Sequence, residues 1–305
     1  MVRSTSLRDK IQKLPKGDVH NHLHLGGSIR LLKKKYSNTS ISIPQYYAGF
    51  DGMMDYIINN VNTIMLTSDD VIYFMEMAIK KGIDDNVEYL EASVDIGLVR
   101  YFDNSINKLI DVVEALKIKY KSQINFQPDI GINKDYQLDK VYSDGLECIN
   151  SGVFNGIDLY GKESDRTLND FKEIFDHARL RNIKPKVHIG EFSNCQTIED
   201  AITILKPVEI QHGIKAADSE ITMNMILDNN IQLNICPQSN IALGSVKNIL
   251  EHPIRKLYDH GIKITINTDD HLLFNATITD QYLDLLEHQI FSLEEIESIR
   301  KNALD

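Results

Sequence analysis

Residues 15–28 read PKGDVHNHLHLGGS and place histidines at 20, 22 and 24, three of the ten in the chain. In an extended strand, side chains at i, i+2 and i+4 point to one face. A strand here therefore gathers His20, His22 and His24 on one side, the beginning of a metal site if other strands bring more ligands. The value of the stretch depends on the sheet around it.

Seven further apolar, β-branched runs follow: 87–96 VEYLEASVDI, 124–132 INFQPDIGI, 156–161 GIDLYG, 184–191 KPKVHIGE, 208–213 VEIQHG, 231–237 IQLNICP and 262–270 IKITINTDD. Helix-like stretches separate most of them. Residues 68–83, SDDVIYFMEMAIKKGI, offer Ser68 as N-cap, acidic residues in the first turn and Gly82 near the end. Similar apolar spacing marks 167–182, 197–206, 219–230 and 252–261. Ser292 and Glu295 open the last segment with capping-box spacing. Strands alternating with helices of about 10–15 residues predict βα units and a parallel sheet. Eight units in 305 residues suit an α/β (β/α)8 TIM-type barrel with extra helices after the first strand, taken as one domain over 1–305. The competing fold is a doubly wound open sheet. No GxGxxG follows any strand, and polar residues end many different strands. A barrel turns all those ends toward one pocket, whereas an open sheet does so only at its switch point.

Composition bounds the partners. Hydrophobic residues make up 42% and charged residues 25%, as in ordinary globular chains. The net charge of -11 argues against nucleic acid or an anionic membrane as partner, and the run Arg30, Lys33, Lys34, Lys35 reads as a solvated face. Cys148, Cys195 and Cys236 show no CxxC spacing, which predicts reduced thiols and a cytoplasmic location. The start, MVRSTSLRDKIQKL, lacks the apolar core of a signal peptide, and no apolar run reaches membrane-span length. The surface composition leaves the oligomeric state open.

The strand ends carry the chemistry: His20, His22 and His24 on the first, Gly161 on the fourth, His188 and Glu191 on the fifth, His212 on the sixth, CPQSN on the seventh, Asp269 and Asp270 on the eighth. Zinc takes imidazole nitrogen and carboxylate oxygen, and catalytic sites keep a position for water. Two histidines one residue apart, with a third histidine and an aspartate from other strands, would complete a mononuclear site. Singly, a strand histidine is ordinarily a core or surface residue and an Asp pair a turn or N-cap. His177, His252, His260 and His288 fall in helical segments and take that plain reading. Six polar groupings in barrel order are another matter.

These motifs resemble the adenosine deaminase family of metal-dependent amidohydrolase barrels. HNHL, GIDLYG, HIGE, IQHG, CPQSN and NTDD match its HxH, DLxG, HxGE, GHG, CPxSN and TDD strands, and IRKNAL resembles its last helix. The resemblance implies one Zn2+ per chain held by His20, His22, His188 and Asp269, with a water as remaining ligand. It implies that Glu191, protonated, donates to purine N1, that His212 holds and helps deprotonate the water, and that Asp269 both ligates and contacts it. Asp270 would meet N7 and the Gly161 N–H would meet N3, with His22 and His24 also near the substrate. The implied reaction is hydrolysis of adenosine or 2′-deoxyadenosine to the 6-oxo purine and ammonia. Alternatives within the family are adenine, AMP or an N6-substituted adenine compound, or a catalytically silent barrel. A two-metal amidohydrolase is disfavoured because Lys162 lies one residue beyond the fourth strand's end. A PCxxC motif, the mark of cytidine-type deaminases, is absent from the sequence.

Two features depart from the family pattern. His24 stands where many members carry an acidic residue near the sugar's 5′ end; it could bond a 5′-hydroxyl, favour a phosphate when protonated, or fill space. The frame PKGDVHNHL favours His20 and His22 over His22 and His24 as the ligand pair. Residues 29–86, which cover the substrate in the family, hold a polar and aromatic segment whose pocket-facing members the sequence does not reveal.

Overall fold

The computed structural model describes residues 6–37 and 41–304. Eight parallel strands lie in one sheet in sequence order: β1 Lys16–Asp18, β2 Val87–Asp95, β3 Asn125–Asn133, β4 Gly156–Tyr160, β5 Lys184–Ile189, β6 Glu209–His212, β7 Gln232–Ile235 and β8 Ile264–Ile266. All eight expected strands form. Helices alternate with them, and the ring closes beyond β8, where a parallel bridge pairs Asn21 with Asp269 and the Asp269 N–H donates to the His20 carbonyl (2.9 Å). This is the predicted (β/α)8 barrel, nearly closed.

The first strand is shorter than expected. β1 ends at Asp18; His22 continues alongside Ser93 through a single bridge, and His24 falls in a turn over 23–25. The three-histidine face is thus two residues deep, because the chain leaves the sheet to enter the cap helices. Two helix ends also differ. Thr67, not Ser68, caps Ser68–Asp84: its hydroxyl accepts the Asp70 N–H while the Asp70 carboxylate accepts the Thr67 N–H. The helix runs two residues past Gly82. Ser292 and Glu295 form the expected box.

Alternation along the strands explains the interior. Val187, Ile189, Ile157, Leu159, Ile130, Ile132, Leu233 and Ile264 are buried in the apolar core shared with the helices. The intervening residues are polar and bond one another across strands. Lys186 is fully buried against Glu91, Asp129 (2.7 Å) and Glu209 (3.4 Å). Above it on β5 stands His188, bonded to Asp158 of β4. A column rising from Lys186 to His188 thus carries polar groups from the barrel's middle to its mouth.

Candidate active site

The ends of β5, β6 and β8 and the bridge segment after β1 bring His20, His188, His212 and Asp269 together. Each offers one ligand atom, and these atoms lie within 4.8 Å of one another; His22, Asp269 and Asp270 form a second such group. His20 Nε2 and His22 Nε2 are each 3.5 Å from Asp269 Oδ1. His212 Nε2 lies 3.6 Å from Glu191 Oε2 and 3.8 Å from Asp269 Oδ2. Two of these residues hold left-handed backbone, His212 at φ 63° and Asp269 at φ 55°. Non-glycine residues rarely adopt it, and here it turns both side chains off their strands into the mouth.

Hydrogen bonds decide which ring nitrogens face the centre. His20 Nδ1 is 3.0 Å from the Asn234 carbonyl, so that nitrogen carries the proton. His188 Nδ1 meets the Asp158 carboxylate (3.1 Å), itself held by the Ser93 hydroxyl. The remaining nitrogens, His20 Nε2 and His188 Nε2, are buried without any hydrogen-bond partner. Two orphaned imidazole lone pairs beside an ionised carboxylate fit a divalent transition metal ion. Of the expected ligands, His20, His188 and Asp269 share the tight group, while His22 joins through Asp269. His212 takes the fourth place in that tight group.

Burial sets the charges. Burial disfavours an ionised Asp269, yet His20 and its neighbours outweigh it and hold the carboxyl well below its usual range. Burial, reinforced by the Asp269 charge, pushes the Glu191 carboxyl well above its usual range. Asp270 moves up for the same two reasons. Burial drives His22 down to about 3 and His212 well down, helped by His188 and His20 respectively. Glu191 and Asp270 are thus both shifted toward the neutral form and Asp269 toward the charged form, the separation acid–base chemistry needs.

The centre opens into a cavity of about 1170 Å³. His24 lines it, with its Nδ1 lacking a partner. Gly161 lines the cavity; it takes φ 102°, and a Cβ there would come 2.3 Å from Asn133 Oδ1, so only glycine fits. The wall hidden in the sequence is Phe50, Met53, Met54 and Ile57, an apolar surface formed by helix Gly49–Tyr56 and the turn after it. Lys162 at the rim is exposed and pairs with Asp51 of that helix (2.8 Å).

Several residues escaped the sequence reading. Glu163 accepts four consecutive backbone N–H groups, from Gly190 (2.7 Å), Glu191 (2.9 Å), Phe192 (2.8 Å) and Ser193 (3.3 Å). It pins the loop that carries Glu191. Ser239 donates to Asp269 Oδ2 (2.6 Å), and Asn240 contacts both Glu191 and His212. Asp158, Ser239 and Asn240 lay inside quoted motifs, a signal that they matter; Glu163 followed GIDLYG by two residues with nothing local to mark it.

Barrel, mouth and donor set define an amidohydrolase-type metal site. The family model "Adenosine deaminase" matches residues 15–305, and the chain belongs to that family. A putative adenosine/adenine deaminase of Treponema pallidum (strain Nichols) is 32% identical over 272 residues, 89% of this chain and 91% of the relative. Adenine deaminase from Arthrobacter aurescens superposes with a TM-score of 0.83 at 18% identity, covering 95% of this chain and 92% of that one. The N6-methyl-AMP deaminase from Arabidopsis thaliana superposes at 0.81 with 18% identity, over 98% and 93%. Among the described residues no helix is long and apolar enough to cross a membrane.

Proposed function

We propose that the protein, as a single barrel over 1–305, hydrolyses the 6-amino group of adenosine or 2′-deoxyadenosine. The observation that carries this is a buried Glu191, its carboxyl shifted toward the neutral form, beside the His/Asp cluster and facing the same cavity. The cluster would hold one zinc ion through His20, His22, His188 and Asp269, three imidazoles and a carboxylate being a donor set zinc favours. When bound, the ion supplies Lewis acidity that makes water nucleophilic at neutral pH.

The chain's own groups do the rest. Glu191 gives its proton to purine N1 as C6 becomes tetrahedral, offsetting the negative charge that attack places on the ring. Asp269, held ionised, takes a proton from the attacking water, and His212 beside it orients that water. That proton leaves with the amino group as ammonia; the second water proton, lost as C6=O forms, restores Glu191. The product keeps the N1 proton, so the balance closes. Neutral Asp270 donates to N7, and the Gly161 N–H meets N3, with His22 and His24 bordering the substrate.

A second reading, a 5′-phosphorylated adenine substrate, is favoured by Arg100 and the unpartnered His24 Nδ1 lining the same cavity. The test is loss of adenine absorbance on zinc-loaded protein with adenosine, deoxyadenosine, adenine, AMP and N6-methyl-AMP, each with a Glu191→Gln control. Turnover of the nucleosides, lost in the control, is the expected result. Turnover of AMP alone selects the second reading, and turnover of none rejects both.

A further inference from the structure

His252 lies outside the cavity, in the link between the turn Ile249–Glu251 and helix Ile254–Asp259, and only 5% of it is exposed. We infer that His252 is a positioning residue for Glu191 and His212, acting through Asn240. The Ile254 backbone N–H points to His252 Nδ1 at 3.0 Å. A main-chain N–H can only donate, so Nδ1 holds a lone pair and the ring proton sits on Nε2. That Nε2 is 3.1 Å from Asn240 Oδ1, which therefore accepts.

The buried Asn240 amide is thereby oriented, with its nitrogen toward the site. Its two protons have two acceptors, Glu191 Oε1 at 2.6 Å and His212 Nδ1 at 3.2 Å. Both contacts carry consequences. Glu191 Oε1 is occupied as an acceptor, so the proton of the acid form belongs on Oε2, 3.6 Å from His212 Nε2. With Nδ1 accepting, the His212 ring proton sits on Nε2 and presents an N–H to the mouth, matching its role in orienting water. A flipped amide would set its oxygen against Glu191 Oε1 and His212 Nδ1, reversing both assignments. The Nε2–H of His252 is what selects the working orientation.

The kinetic part of the test rests on the deaminase reading; the spectroscopic part does not. Long-range 1H–15N correlation on zinc-loaded protein reads the tautomer of each histidine, with signals assigned from His252→Gln and His212→Gln. The expected result is Nε2–H for both His252 and His212. In His252→Gln the side-chain amide nitrogen can replace the Nε2 donor, whereas His252→Leu cannot; both lose the Nδ1 acceptor for Ile254, so their contrast isolates the donor. We expect His252→Gln to keep the His212 tautomer and kcat within about threefold. His252→Leu should mix the His212 tautomers and lower kcat about 10- to 100-fold, the scale of a small misplacement of reacting groups, with KM moving less. An Nδ1–H signal for His252, or equal kcat and unchanged His212 signals in Gln and Leu variants of equal thermal stability, overturns the inference. A wild type inactive on every substrate with both Nε2–H signals present overturns the deaminase reading alone.

Discussion

Replacing Glu163 by Gln tests how the catalytic loop is held. Glu163 Oε1 accepts the N–H groups of Glu191 and Phe192, and Oε2 those of Gly190 and Ser193. Glutamine keeps one oxygen and turns the other end into an NH2 group facing donors. Two charge-assisted bonds are lost, each worth roughly 1.5–3 kcal/mol, and two N–H groups are left facing an N–H. Glu163 is half-buried, so water recovers part of this; the net cost to the ordered loop is about 2–4 kcal/mol. If the loop must be ordered for Glu191 to reach substrate, kcat/KM falls by about 30- to 900-fold. The assay is the initial rate of absorbance loss, with metal content and thermal midpoint measured on the same preparation. Metal content should hold, because Glu163 bonds to the loop and not to the histidines. A variant within threefold of wild-type kcat/KM would refute the argument that this carboxylate positions Glu191.

Other perturbations give separate checks. Because the protonated Glu191 is the working form and its pKa is raised, kcat/KM should fall as pH climbs through that raised value; a profile flat into the alkaline range would remove its role as acid. Chelation should abolish turnover and lower the thermal midpoint, and one equivalent of zinc per chain should restore both; activity that survives complete metal removal contradicts the site. Lys186→Met strands Asp129 in the barrel interior and leaves Glu91 and Glu209 to Lys184 alone, and should cost about 3–5 kcal/mol in urea unfolding. An unchanged unfolding free energy would mean that those carboxyls find other partners.

Much of this molecule is local, and what is local is readable. Most strands announce themselves by a short β-branched run, and helices such as Ser68–Asp84 and Leu293–Asn302 by apolar spacing and a cap, because those signals act within about ten residues. The strand ends follow from the strands, so His20, His188, His212 and Asp269 could be assigned to one mouth before any distance was known. Position in space is another matter. His24 leaves the expected face because the chain turns out of the sheet at 23, after the bridge of His22 to Ser93. Glu163 reaches residues 190–193, His252 reaches Asn240, and Lys186 reaches strands almost a hundred residues away. None of these pairings has a sequence period, since each depends on how the closed barrel brings distant loops and strands side by side. The residue types and their order determined which chemistry the chain can carry; barrel closure decided which carboxyl stays neutral, which imidazole nitrogen faces the centre, and what holds each in place.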